Sequence, residues 1–220
     1  MTDELERRLS AAPPAGVLDL DRLRDVLARR AANDGLLDVA YGTYESPLGP
    51  LTVVVTPRGL VRVSYAHEAA LDQQLDELGT RISPRIFHAP ATTDPVRRQL
   101  DDYFAGRRHD FNVRIDWRLV RGFAVNVLRA TARIPFGGTS TYRGVATEAG
   151  SPNAYRAAGN ALNTNPIPIV VPCHRVLHSG GGLGGYAGGL ERKRYLLTLE
   201  GVLPDGGAPA PGTIHPPPAF

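Results

Sequence analysis

The segment Val170-Val-Pro-Cys-His-Arg-Val176 places the only cysteine of the chain beside an imidazole and a guanidinium. A free thiol has a pKa of about 8.5, so a nucleophilic cysteine at neutral pH needs a base or a positive charge close by. His174 and Arg175 follow Cys173 directly. Neighbouring residues of an extended segment point to opposite faces, so His174 reaches the sulfur only through a bent backbone or a bridging water. Papain-like enzymes draw their Cys and His from distant parts of the chain, and their local signature is absent here. The plainer alternative is a small buried hydrophobe after an apolar strand. The flanks favour chemistry. Asn163-Thr-Asn165-Pro166-Ile-Pro168 gives a shaped entry to that strand, and Gly180 to Gly189 forms a glycine-rich loop with one aromatic, Tyr186. Leu190 to Leu199 reads as a final helix closed by Glu200-Gly201.

The chain that positions these residues has 220 of them, 42% hydrophobic and 21% charged, enough for one domain or two small ones with a real core. One cysteine excludes an intramolecular disulfide and a four-thiolate zinc site. No apolar run approaches the roughly 18 residues of a membrane span, so no membrane partner is expected. The stretch Met1 to Ser10 is charged and lacks the apolar core of a secretory leader, which predicts a cytoplasmic protein. Residues 121–200 carry nine cations against three anions, a net +6, whereas the whole chain is +3. A basic half beside an acidic one predicts a polyanionic partner, nucleic acid first.

Residues 1–38 read as an N-terminal extension with one amphipathic helix, on which Leu20, Leu23, Leu27 and Ala31 recur at helical spacing. The helix is expected to pack on its own domain, with a partner-binding role as the second reading. Residues 39–115 form a small α+β domain. Runs from Asp38, Leu51 and Leu60, separated by Pro47-Leu-Gly-Pro and Pro57-Arg-Gly, predict a three-strand antiparallel meander. Helices follow over 67–79 and 94–105, the second with Pro95 at its first position. His67, His88 and His109 are isolated and carry no evident chemistry.

Residues 116–202 are mainly helical. One helix spans Arg118 to Ala132, and Thr139-Ser-Thr141 caps a second that ends at Gly150. Ser151-Pro152 opens a third, running to about Leu162. The last two make a helix-turn-helix, with the later one as recognition helix. On it Arg156 stands alone before Ala157, Ala158 and Gly159, a face small enough to approach DNA closely or to pack tightly within the fold. Residues 203–220 read as a flexible Pro/Gly-rich tail.

Ile134-Pro-Phe-Gly137, Thr141-Tyr142, Asn165-Pro166, Ile169 to Val176, Gly185-Tyr-Ala-Gly-Gly189 and Leu196-Leu197 with Glu200-Gly201 together resemble the O6-alkylguanine-DNA alkyltransferases over roughly residues 39–202. The resemblance implies repair of O6-alkylguanine, and of O4-alkylthymine, in duplex DNA by one irreversible transfer to Cys173 after base flipping. It implies His174 as the base acting through a water, Glu200 as its orienter, Asn165 as a member of this network and Tyr142 as donor to the departing guanine. Tyr186, Pro168, Val176, Gly184 and Ala187 would line the pocket. Arg156 would fill the stack vacated by the flipped base, with Tyr142, Ala157, Ala158, Gly159 and Arg175 completing the DNA contact. No metal and no cofactor is implied. The partner is double-stranded DNA bound through the minor groove, with clustering of copies along it as a further expectation.

The sequence departs from the family in places. Some relatives bind zinc or use a second acceptor cysteine in the N-terminal domain, and this chain can do neither by thiolate. Ala187 replaces a serine of some relatives beside the pocket tyrosine. Three rival readings remain distinct: a lesion-binding protein without transfer, a helix-turn-helix regulator and a cysteine hydrolase. The first would lack the acceptor that Cys173 supplies, the second would not need Cys173, His174 and Glu200 together, and the third would turn over repeatedly.

Overall fold

A computed structural model of the chain describes residues 20–65, 71–180 and 182–204. Alternating apolar residues build its first half. β1 (Val39–Ser46), β2 (Gly49–Thr56) and β3 (Gly59–Tyr65) form the expected antiparallel meander. A fourth strand, β4 (Ile86–His88), adds parallel to β1 and gives the order β3-β2-β1-β4. Three residues are too few to show a period of two, so this strand had no signal in the sequence.

The sheet buries both faces. Ala40, Tyr44, Leu51, Val53 and Val55 enter the main core, while Val39, Val54 and Val61 enter a smaller outer cluster. A bulge interrupts the alternation on β3: Leu60 pairs with Val55 and Arg62 with Val54, leaving Val61 between them. After it, Val63 and Tyr65 turn to the main core. Helix α2 (Leu71–Arg81) covers the outer cluster with Leu75 and Leu78, and α3 (Pro90–Phe104) covers the main face with Val96, Leu100 and Tyr103. Gly42 of β1 has no room for a side chain, because a Cβ there would lie 2.7 Å from Oγ1 of Thr93 on α3.

The helix limits differ from expectation. α2 starts at Leu71, and residues 67–70 of the expected helix lie outside the described residues. α3 starts at Pro90, so Pro95 falls inside the helix and the N–H hydrogen bond to the Ala91 carbonyl is missing. α1 (Leu20–Asn33) buries Ala28 and Ala31, whereas Leu23 and Leu27 are 49% and 58% exposed. Of the expected stripe, Ala31 is therefore buried while Leu23 and Leu27 face outward, and Ala28 joins Ala31 in the contact.

The second half is helical. Asp116 caps a 3-10 turn over Trp117–Leu119, and only after Gly122 does α4 (Phe123–Thr131) begin, so the helix expected from Arg118 is split. β5 (Ser140–Thr141) leads into α5 (Tyr142–Glu148), where Thr141 Oγ1 accepts the Gly144 amide at 3.0 Å. Such a cap contributes about 1 kcal/mol. α6 (Tyr155–Asn163) begins later than Ser151-Pro152 suggested, because those residues form a turn in which the Ser151 carbonyl accepts the Ala154 amide. β6 (Val176–Leu177) pairs in parallel with β5, and α7 (Leu190–Leu199) closes the fold where expected. One core joins both halves, running from Leu51 and Tyr65 to Val127, Ile167, Cys173 and Leu196. No described helix is long and apolar enough to cross a membrane. Nearly all of the tail expected at 203–220 lies outside the described residues.

Candidate active site

The expected apolar strand before Cys173 is absent. Residues 166–171 are instead a buried series of turns in which Val170 N–H donates to the Pro168 carbonyl and Val171 N–H to that of Ile167. Ile169 takes φ of 73°, a conformation that costs a β-branched residue about 1–3 kcal/mol. Asn165 holds the turns together. Its Oδ1 accepts the Ile167 amide at 3.0 Å, and its Nδ2 donates to the Val171 carbonyl at 2.9 Å and to Cys173 Sγ at 3.2 Å. A donor on the sulfur favours the thiolate over the thiol.

Cys173–Arg175 then form a 3-10 turn. Successive side chains of such a turn diverge by about 120°. Cys173 faces a cavity, while His174 and Arg175 run into the interior and meet Glu200, the residue that ends α7. The Glu200 carboxylate accepts from Tyr103 Oη at 2.6 Å, from His174 Nε2 at 2.9 Å, and from Arg175 Nε and Nη2, both at 2.8 Å. Burial alone would raise its pKa, but these hydrogen bonds prevail and hold it down at about 2. Glu200 is thus ionised, and the His174 nitrogen facing it carries the proton. Full burial lowers the His174 pKa further than Glu200 raises it, so the ring is neutral at pH 7. Its Nδ1 is buried without a protein partner among the described residues, which leaves a lone pair able to accept a proton.

The cavity measures about 580 Å³. Tyr142, Arg156, Gly159, Tyr186 and Ala187 line it together with Cys173, as expected of pocket and DNA-facing residues. Gly184 lies behind the Tyr142 ring: its φ is 70°, and a Cβ there would come 2.7 Å from the phenol oxygen. Burial raises the Tyr142 pKa against a bond from the Gly185 backbone, so the phenol keeps its proton.

Other expected contacts are displaced. Arg175 is only 5% exposed and spends its guanidinium on Glu200 and the Ile134 carbonyl, so it is a structural residue and not a DNA contact. Ala158 is fully buried on α6 and faces the core, leaving Ala157 as the exposed small residue beside Arg156. Val176 is buried, with its carbonyl accepting Lys193 Nζ at 2.7 Å, and Pro168 is buried in the turns; neither lines the cavity. The basic face shrinks accordingly. Of the nine cations in 121–200, Arg175, Arg192 and Lys193 are buried.

Several residues had no sequence signal. Tyr103 comes from the other half of the chain to reach Glu200. Tyr155 sits at the cavity with Arg143 and Arg156 5.3 and 5.8 Å from its ring centre. Lys193 is fully buried, and desolvation lowers its pKa to about 8 against the attraction of Cys173. Only the +6 charge count pointed to Lys193, and that count treated it as a surface cation. The arrangement is that of a nucleophile, a buried neutral base and an anionic orienter, opening on a cavity with an aromatic wall.

Comparison with known proteins agrees with this geometry. Residues 39–117 match the family model of the 6-O-methylguanine DNA methyltransferase ribonuclease-like domain, and residues 122–202 that of its DNA binding domain. The chain is 37% identical over 160 residues to a methylated-DNA–protein-cysteine methyltransferase of Methanosarcina barkeri, covering 73% of this chain and 96% of that one. It is 39% identical over 162 residues to the protein of that name from Mycobacterium tuberculosis, covering 74% and 92%. Its fold is similar to that of Mycobacterium tuberculosis OGT in complex with DNA, with a TM-score of 0.63, 37% identity and coverage of 73% and 92%. The chain belongs to the 6-O-methylguanine DNA methyltransferase family.

Proposed function

We propose that this alkyl-transfer repair protein acts once per molecule, on a guanine flipped out of duplex DNA. The observation that carries the reading is Cys173 Sγ on the cavity wall with the Asn165 amide on it, next in sequence to the buried His174–Glu200 pair. The thiol proton passes to His174 Nδ1, directly or through water, and Glu200 stabilises the imidazolium that forms. Sγ then attacks the alkyl carbon, the S–C bond forms as the C–O6 bond breaks, guanine leaves with the Tyr142 phenol's proton, and the proton held on His174 passes through water to restore the phenol. Displacing guanine as a bare anion is far harder, which gives the protonated Tyr142 phenol its role. The thioether has no group in the site to reverse it. O4-alkylthymine presents the same alkyl–oxygen bond, and we extend the reading to it.

Helices α5 and α6 with their connecting turn would form the DNA-reading helix-turn-helix, entering from the minor groove. Arg156, exposed at the cavity rim, would occupy the space of the flipped base, and Ala157 would let the helix come close. Clustering along DNA belongs to the same reading. Sequence-independent phosphate contacts fit a protein that must search all DNA.

Intact-mass spectrometry after incubation with duplex DNA containing O6-methylguanine tests this. One methyl group, about 14 Da, on Cys173 with no further gain is expected. Tight lesion binding without a mass gain would leave only a recognition module, and more than one product per protein would indicate a true turnover enzyme.

A further inference from the structure

We infer that Tyr65, at the end of β3, is a positioning residue for the substrate wall: its hydroxyl fixes the ring of Tyr186. The inference rests on the alkyltransferase reading of the cavity. Tyr186 lies on a loop with Gly184, Gly185, Gly188 and Gly189 around it, so the backbone restrains its pose little. A flat base needs a flat wall at a fixed angle, and contacts from outside the loop must supply that angle.

Tyr65 supplies one. The β3 bulge turns it to the main core, where it is 1% exposed, and its Oη lies 3.0 Å from Oη of Tyr186. The two rings close on Gly188, where a Cβ would lie 2.5 Å from Tyr65 Cε2 and 2.8 Å from Tyr186 Cε1. Arg192 braces the Tyr65 ring as well. Its guanidinium stands 4.2 Å from the Tyr65 ring centre and donates to the Leu48 carbonyl at 3.1 Å and the Gly188 carbonyl at 2.8 Å. Sheet, loop and final helix therefore meet at one buried point behind the pocket. The N-terminal half, none of whose described residues lines the cavity, sets the angle of its aromatic wall from there.

Tyr65→Phe in the full chain removes one hydroxyl and keeps the ring packing. Transfer from free O6-benzylguanine, which lacks DNA contacts to hold it, is expected to slow about 3- to 10-fold, the range of one lost hydrogen bond. Half-saturation should shift more than the limiting rate, and affinity for unmodified duplex DNA should stay unchanged. Tyr186→Phe should slow the reaction similarly, and the double variant should be no slower than either single one. A purely structural Tyr65 would instead give additive losses that follow the fall in melting temperature, and that result overturns the inference. The ¹³Cζ resonance of Tyr186, assigned with Tyr186→Phe, reads the contact even if the wild-type chain transfers nothing. It should move in Tyr65→Phe, and an unmoved resonance overturns the inference independently of the activity.

Discussion

His174 Nε2 lies 2.9 Å from Glu200 Oε1, and neither side chain has any exposed surface. The contact fixes which ring nitrogen carries the proton and leaves Nδ1 as the basic one. Glu200→Gln tests it. The variant keeps the shape but removes the charge that stabilises an imidazolium, and it leaves the Arg175 guanidinium buried without its anion. Breaking a buried pair from one side costs about 3–5 kcal/mol. Transfer is expected to slow at least 10-fold among molecules that remain folded, measured by mass-spectrometric time courses beside a thermal melt. An unchanged rate removes Glu200 from the proton path.

Acid should destabilise the protein through the same pair. The Glu200 pKa is about 2 when folded against 4.5 for a free carboxyl, so the unfolded chain binds the proton first as the pH falls. Its contribution is complete above about pH 4.5 and is lost progressively toward pH 2. His174 acts in the same direction. Its folded pKa is lowered, so below about pH 6.5 the unfolded state gains a proton that the buried ring resists. Denaturant melts from pH 7 to pH 3 should show falling stability throughout, and the wild-type advantage over Glu200→Gln should shrink below pH 4.5. A constant difference across that window contradicts the assignment.

Cys173→Ser separates reaction from recognition. The thiol is 7% exposed at the edge of the core, and a hydroxyl of similar size keeps the Asn165 contact. No mass gain is expected from lesion DNA, with the melting temperature and the affinity for duplex DNA close to wild type. Loss of DNA affinity along with transfer would make the cysteine structural.

Much of this site was legible in the sequence, for physical reasons that also explain the failures. Cys173 beside His174 was legible from residue type, and so was the Thr141 cap, whereas the parts of Asn165 and Glu200 came only from the resemblance to the alkyltransferases. Three strands of the four-stranded sheet followed from alternation and turn residues. Contacts made across the fold left no such trace. Nothing near Tyr103 or Tyr65 in sequence announces Glu200 or Tyr186, and a run such as Ile169-Val-Val reads as a strand although the Val170 and Val171 amides close turns. Arg175 was misassigned because a cation beside a nucleophile looks the same in sequence whether it faces DNA or a buried carboxylate.

Arg156 and Arg175 should therefore fail in different ways. Arg156→Ala removes an exposed guanidinium at the cavity rim and should slow repair of duplex DNA about 10-fold or more, while leaving reaction with free O6-benzylguanine nearly unchanged and stability within about 0.5 kcal/mol. Arg175→Met removes a buried partner of Glu200 and should lower stability by about 3 kcal/mol, with little change in DNA affinity for the folded fraction. Equal loss on both substrates for Arg156→Ala would place that residue in the pocket chemistry instead of the stack.

Gly184 provides the sharpest steric test of Tyr142. Its φ of 70° disfavours any side chain, and a Cβ would press within 2.7 Å of the Tyr142 hydroxyl. Gly184→Ala should cost about 1 kcal/mol or more in stability and displace the phenol from its cavity position. If that phenol protonates the departing guanine, the limiting rate should fall while DNA affinity holds, because the helices that would meet DNA do not contain residue 184. Gly106, far from the cavity lining, has nearly the same φ of 69° and open space where a Cβ would stand, so Gly106→Ala is the matched control and should react near the wild-type rate. Equal rates for the two variants would mean that the position of the Tyr142 hydroxyl does not limit transfer.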